Sequence, residues 1–161
     1  MFDVTTFTGF HTWLSLIALA TGLLLMFDLL TSRLASRLTA LFFVTAIGTN
    51  VTGFLFPFQG FLPSHGVGIL SSVVLALALT ARYGFALAGA WRWIYAVNLV
   101  IGVYFLVFVA LAQLFQKVPS LAAAGSTPFA LAELAALIAT IVLAVMAARR
   151  FHPPMTAATV A

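Results

Sequence analysis

The sequence predicts an all-α integral membrane protein, a bundle of five transmembrane helices with the N-terminus outside and the C-terminus in the cytoplasm. Three observations predict it. The first is composition: the chain is 64% hydrophobic and 6% charged, whereas a soluble domain carries about 25% charged residues. Seven basic and three acidic side chains on 161 residues cannot cover a soluble surface, so lipid is part of the solvent. The second is the length of the apolar runs. They are too long and too uniform for barrel strands, which alternate, and in lipid only helices and closed barrels satisfy their backbone. The third is the placement of basic residues. Arg33, Arg37, Arg82, Arg92, Arg149 and Arg150 fall on one side of a five-span chain, and Lys117 alone on the other. The positive-inside rule puts the arginine side in the cytoplasm.

A spanning helix needs roughly 20 mostly apolar residues. The first is expected over His11–Leu30, ended by "TSRLASR", and the second over Leu38–Phe56, ended by Pro57. The run from His65 to Lys117 exceeds one helix. It is broken by "RYGFALAGAWR", with arginines at its ends and two glycines inside, into His65–Tyr83 and Trp91–Gln116. The link "KVPSLAAAGSTP" has the Pro, Gly and Ser chemistry of a loop. The last helix covers Thr127–Ala148 and ends at Arg149 and Arg150. The N-terminal stretch lacks a basic region and carries Asp3, so the first helix is expected to stay in the mature protein. Trp13, Trp91, Trp93, Tyr83 and Tyr95 sit near predicted helix ends, as interfacial aromatics do.

Small and polar residues mark packed faces in lipid. Steps of three and four align His11, Ser15, Ala18 and Gly22 on the first helix, and Thr45, Thr49 and Thr52 on the second, with Ala46, Asn50 and Gly53 beside them. His65, Gly68, Ser72 and Ala76 align on the third, and Glu133, Ala136, Thr140 and Ala144 on the last. Packing alone accounts for the Gly, Ala, Ser and Thr members. The less common polar side chains share a depth. At about 1.5 Å per residue, Asn50 lies roughly 10 Å below the outer end of its helix. His11, Gln59, His65, Gln113, Gln116 and Glu133 also fall in the outer third of the bilayer. Glu133 within a span needs pairing, protonation or water, with His11, His65 or Lys117 as candidate partners. Asp28 is expected to pair with Arg82, Arg92 or Arg149, and His152 to be solvated.

Several functions could use this layer. His11, His65 and Glu133 form a legitimate set for a divalent metal, zinc or non-haem iron. A b-type haem could be held between His11 and His65, with Gly9 and Gly68 letting a flat macrocycle approach. A quinone or lipid headgroup could bind His65, Gln113 and Glu133. Small-solute or ion transport is a further alternative, although five spans do not divide into an inverted repeat. The leading expectation is a binding or accessory role with a polar pocket near the outer leaflet, with or without a membrane-protein partner or a second copy. The absence of cysteine removes thiolate sites and cysteine nucleophiles. There is no Walker loop, G-x-G-x-x-G or G-x-S-x-G motif. The scattered basic residues form no aromatic-interleaved patch for nucleic acid.

The stretches "TGFLFPF…SHGVGILS" and "RWIYAVNLVIGVYFLVFVALAQLFQKVPSL" resemble uncharacterised small multi-span membrane proteins of proteobacteria. The resemblance implies a bacterial inner-membrane location and transfers no functional residues.

Overall fold

The structure, a computed structural model, describes residues 3–57 and 60–154. The order of elements is α1 (Phe7–Leu30), α2 (Ser36–Phe54), α3 (Pro63–Leu79), α4 (Trp91–Lys117), α5 (Pro119–Ala123) and α6 (Ser126–Arg150), with no strand among the described residues. One π-helical turn, Thr80–Gly84, continues α3.

The ends follow local chemistry. α1 begins four residues ahead of the expected His11 because Thr6 caps it: the Gly9 amide donates to Thr6 Oγ1 at 3.0 Å. Pro63 occupies the first turn of α3, where its missing N–H costs nothing. The break between α3 and α4 uses positive φ at Ala86, Leu87 and Gly89, and Phe85 stacks on Trp91 with ring centroids 3.9 Å apart. The link after α4 is not all loop. Pro119–Ala123 forms the short α5, and Gly125, at φ 85°, makes the turn into α6.

Among the described residues four helices are long and apolar enough to cross a membrane: α1, α3 with its π-helical extension, α4 and α6. α2 is the exception. It is 19 residues long and contains Thr39, Thr45, Thr49, Thr52 and Asn50. The bundle absorbs much of that polarity, since Thr39, Thr45 and Thr52 are buried. Thr45, Thr49 and Thr52 return their hydroxyl protons to carbonyls one turn back, at 2.7–2.9 Å.

The apolar core gathers toward one end of the bundle. It takes Leu25 and Leu29 from the second half of α1 and Phe42 and Phe43 from the first half of α2. Leu75 and Ala78 come from late α3, and Ala96 and Leu99 from early α4. Gly22 lets α1 approach its neighbours: a Cβ there would lie 2.6 Å from Val103 Cγ2 and 2.9 Å from Phe42 Cε2. α6 docks chiefly on α4, and its outward face (Leu134, Ile138, Ile141, Val145) is exposed.

Phe151 and His152, just after α6, close this end. Phe151 is fully buried against Tyr95, at a centroid distance of 5.6 Å. Ser32 Oγ donates to the Arg150 carbonyl and accepts the His152 amide at 3.0 Å. Two expectations change here. Tyr95 is 1% exposed and belongs to the core, not to an interfacial belt; Trp13, Trp93 and Tyr83 are exposed as expected. Asp28 does not capture Arg82. Arg82 is 4% exposed, donates from Nη2 to Ser36 Oγ at 3.2 Å and lies over the rings of Tyr83 and Tyr95. His152 is exposed, as expected.

Candidate functional site

At the opposite end α1 to α4 part around a cavity of about 690 Å³. Its polar lining includes His11, Ser15, Asn50, His65, Gln113 and Lys117. Its apolar walls include Leu16, Leu19, Phe54, Phe105, Leu106 and Val109. His11, Asn50, His65 and Gln113, expected to share a depth, therefore share one chamber. Ser64, beside His65, and Thr8, Thr12 and Thr49 join them.

The two histidines are set in opposite senses. His11 Nδ1 lies 2.7 Å from Thr52 Oγ1. The single hydroxyl proton of Thr52 is directed to the Gly48 carbonyl at 2.7 Å. His11 must then donate its Nδ1–H to the Thr52 oxygen, and Nε2 of the neutral ring keeps the lone pair. Phe56 holds the ring edge-on at 5.2 Å and 87°. His65 sits at the third position of α3 and reaches back, so that its Nδ1 accepts the Leu62 amide at 3.0 Å. This is the place a Glu or Gln takes in a capping box. Nε2 of neutral His65 therefore carries the proton. The two neutral imidazoles therefore hold opposite tautomers.

Asn50 is a structural tie as well as a lining group. Its Nδ2 donates to Ser71 Oγ at 3.2 Å and to Ser72 Oγ at 3.1 Å, joining α2 to α3. The sequence gives the depth of Asn50 but not this pairing. The Thr52–His11 bond is likewise unforeseen, although Thr52 stands on the stripe of threonines that marks a packed face.

Three expected members lie elsewhere. Gln59 is outside the described residues. Gln116 is exposed and does not line the cavity, because Gln113 and Lys117 take the cavity-facing positions at the end of α4. Glu133 is on α6, which docks on α4 and contributes nothing to the chamber. Both its carboxyl oxygens are buried with no hydrogen-bond partner, so His11, His65 and Lys117 do not serve it.

The ligand sets change accordingly. Among the described residues no three His, Cys, Asp or Glu side chains gather to hold a metal, and His11, His65 and Glu133 are not such a group. A haem between the two histidines does not fit. His65 has Nδ1 filled by a backbone N–H and a proton on Nε2, leaving no lone pair for iron. The glycines leave no slot either: a Cβ on Gly68 would lie 2.9 Å from Phe54 Cζ, and one on Gly9 would strike the Asp3 carbonyl at 1.8 Å. Phe54 and the N-terminal turn occupy the space a macrocycle would need.

Comparison with models of protein families, with curated proteins and with solved structures returns no match.

Proposed function

We propose that this is a bacterial inner-membrane protein whose five long helices all cross the bilayer, and that it binds a small amphipathic molecule in the cavity between α1, α2, α3 and α4. The N-terminus and the cavity's polar end face the periplasm, and the arginine-bearing end faces the cytoplasm. The arginine distribution supports this orientation. Burial of the α2 threonines supports a fifth span, because helices that supply partners lower the cost of a polar helix in lipid.

The observation that carries the binding reading is the cavity itself. Its volume of about 690 Å³ lies within the roughly 300–1,000 Å³ of small-molecule sites, and its lining has their character, apolar walls with a few convergent polar groups. The site binds and orients.

The chain contains no cysteine, so single cysteines report cleanly. Ser64→Cys is expected to react with a membrane-impermeant maleimide from the periplasmic side, and Ser36→Cys only after permeabilisation; the reverse pattern overturns the orientation. Ala110→Cys, on the cavity wall, is expected to react more slowly with N-ethylmaleimide when oleate or oleyl alcohol is added, while Leu131→Cys on the outward face of α6 is unaffected. Equal behaviour at both positions overturns the binding reading.

A further inference from the structure

Arg82 is buried without a counter-charge. It is 4% exposed, and its guanidinium meets no carboxylate among the described residues. Nε and Nη1 have no hydrogen-bond partner, and Nη2 donates to Ser36 Oγ at 3.2 Å. The rings of Tyr83 and Tyr95, 5.4 and 5.9 Å from the guanidinium carbon, supply only a weaker attraction. A buried charge without a paired ion is costly. The π-helical turn Thr80–Gly84 presents this side chain, and such turns recur at functional sites.

Ser36 is the first residue of α2, so Nη2 aims the guanidinium at a helix N-terminus. The amides of Ser36, Arg37 and Leu38 precede the first helical bond, which the Thr39 amide makes to the Ala35 carbonyl at 2.9 Å. No side chain caps them, and no acid stands in the first turn. Arg37 in that turn has the sign the helix dipole disfavours. Ser36 and Arg37 are exposed, so this end of the 19-residue helix is open. Uncapped amides, a hydroxyl and a guanidinium held to that hydroxyl make a donor set for a tetrahedral oxyanion.

We propose that the N-terminus of α2, with Ser36 and Arg82, binds a phosphate group. Its oxygens accept from the first-turn amides, from the Ser36 hydroxyl and from the second N–H of Arg82 Nη2. Ser36 takes one proton of that nitrogen, and no other described acceptor takes the second. Exposed Arg33, Arg37, Arg149 and Arg150 concentrate anions at this end. A bilayer interface there supplies phosphate in its lipid heads, and anionic heads are held by such basic pockets. The site lies at the end of the bundle opposite the cavity and does not depend on what the cavity holds.

The test uses the full ¹⁵N-labelled chain in dodecyl maltoside micelles, which carry no phosphate. At fixed ionic strength, phosphatidylglycerol and inorganic phosphate are added separately. The expected result is a saturable downfield shift of the Arg37 and Leu38 amides, with the Thr127 amide, in the first turn of α6, unmoved. Saturation with phosphatidylglycerol supports the site with a lipid head as the source, and saturation with inorganic phosphate alone supports it with a soluble one. Arg82→Gln is expected to weaken the response about tenfold or more. Because Arg82 is buried, Ser36→Pro supplies a variant that spares the fold. Proline suits the first helical position, and Ala35, at φ −77° and ψ 89°, is already outside the α region. That variant removes the hydroxyl and one amide and is expected to weaken the response about tenfold. Shifts absent with both probes, equal at Thr127, or unchanged in Ser36→Pro overturn the site.

Discussion

Replacing Gly22 and Gly53 by alanine, separately, tests the asymmetry between the closed and open ends of the bundle. Both glycines are helical, one facing the core and the other facing His11 at the cavity. Alanine relieves an intrinsic helix cost of up to about 1 kcal/mol at a helical glycine, less at Gly53 in the last turn of α2. The surroundings differ. At Gly22 the new methyl would lie 2.6 Å from Val103 Cγ2 and 2.9 Å from Phe42 Cε2. Val103 is stiff at χ1, and Phe42 is fully buried, so neither yields. Overpacking of this kind costs about 1–3 kcal/mol, leaving Gly22→Ala about 1 kcal/mol less stable after the helix gain. At Gly53 the nearest atom is His11 Cε1 at 3.6 Å, an ordinary contact, and the expected change is a gain of a few tenths of a kcal/mol. A domain of this size shifts by about 2–4 °C per kcal/mol. Thermal unfolding followed by tryptophan fluorescence, in one detergent at one scan rate, should lower Tm for Gly22→Ala and hold or raise it for Gly53→Ala. A raised Tm for Gly22→Ala would refute the close α1–α2–α4 packing.

Thr52→Val removes the acceptor of His11 Nδ1–H, so the ring is expected to shift toward the Nε2–H tautomer, read by side-chain ¹⁵N NMR, with a stability loss of about 0.6–1.7 kcal/mol; an unchanged tautomer contradicts the assignment. Asn50→Leu should lower stability by about 1 kcal/mol through loss of the α2–α3 tie, and adding Ser72→Ala should cost less than the sum of the single changes. Additive losses would show that Asn50 and Ser72 act independently. Asp3 precedes α1, and the Thr5 hydroxyl and amide hold its carboxyl below the ordinary value of 3.8. A depressed carboxylate pKa supports the folded turn above the ordinary range, and that support is lost as pH falls through the folded value. The Thr5 amide shift should therefore titrate with a midpoint below 3.8, and Asp3→Asn should abolish the titration. A midpoint at or above 3.8 would contradict it.

Helix positions were legible in the sequence because their stops are local. Pro57, the Arg- and Gly-bearing break at 82–92, and the paired arginines at 149–150 each end an apolar run by chemistry within a few residues. The depth of polar residues was legible for the same reason, since rise along a helix is fixed. The same fixed rise sets His11, Asn50, His65 and Gln113 in one layer. Rotation about each helix is set by neighbours distant in sequence, and there the reading failed. Glu133 stands on α6, which docks chiefly on α4 and supplies no residue to the chamber lining. Gln116 turns outward while Gln113 and Lys117 turn in. Phe54 fills the space beside Gly68 that a spacing argument leaves open for a cofactor. The burial of Arg82 under Ser36 and Tyr95, and the return of Phe151 onto Tyr95, are also long-range contacts that no local pattern announces.

The most direct measurement of the binding site is native mass spectrometry of the protein released from nanodiscs, comparing the natural chain with Ala110→Trp and Leu131→Trp. Ala110 lines the cavity, and Leu131 is exposed on α6. The expected result is one small amphipathic molecule retained per chain by the natural protein and by Leu131→Trp, and none by Ala110→Trp. Retention unchanged by Ala110→Trp, or absent from all three, would contradict a binding site between α1 and α4.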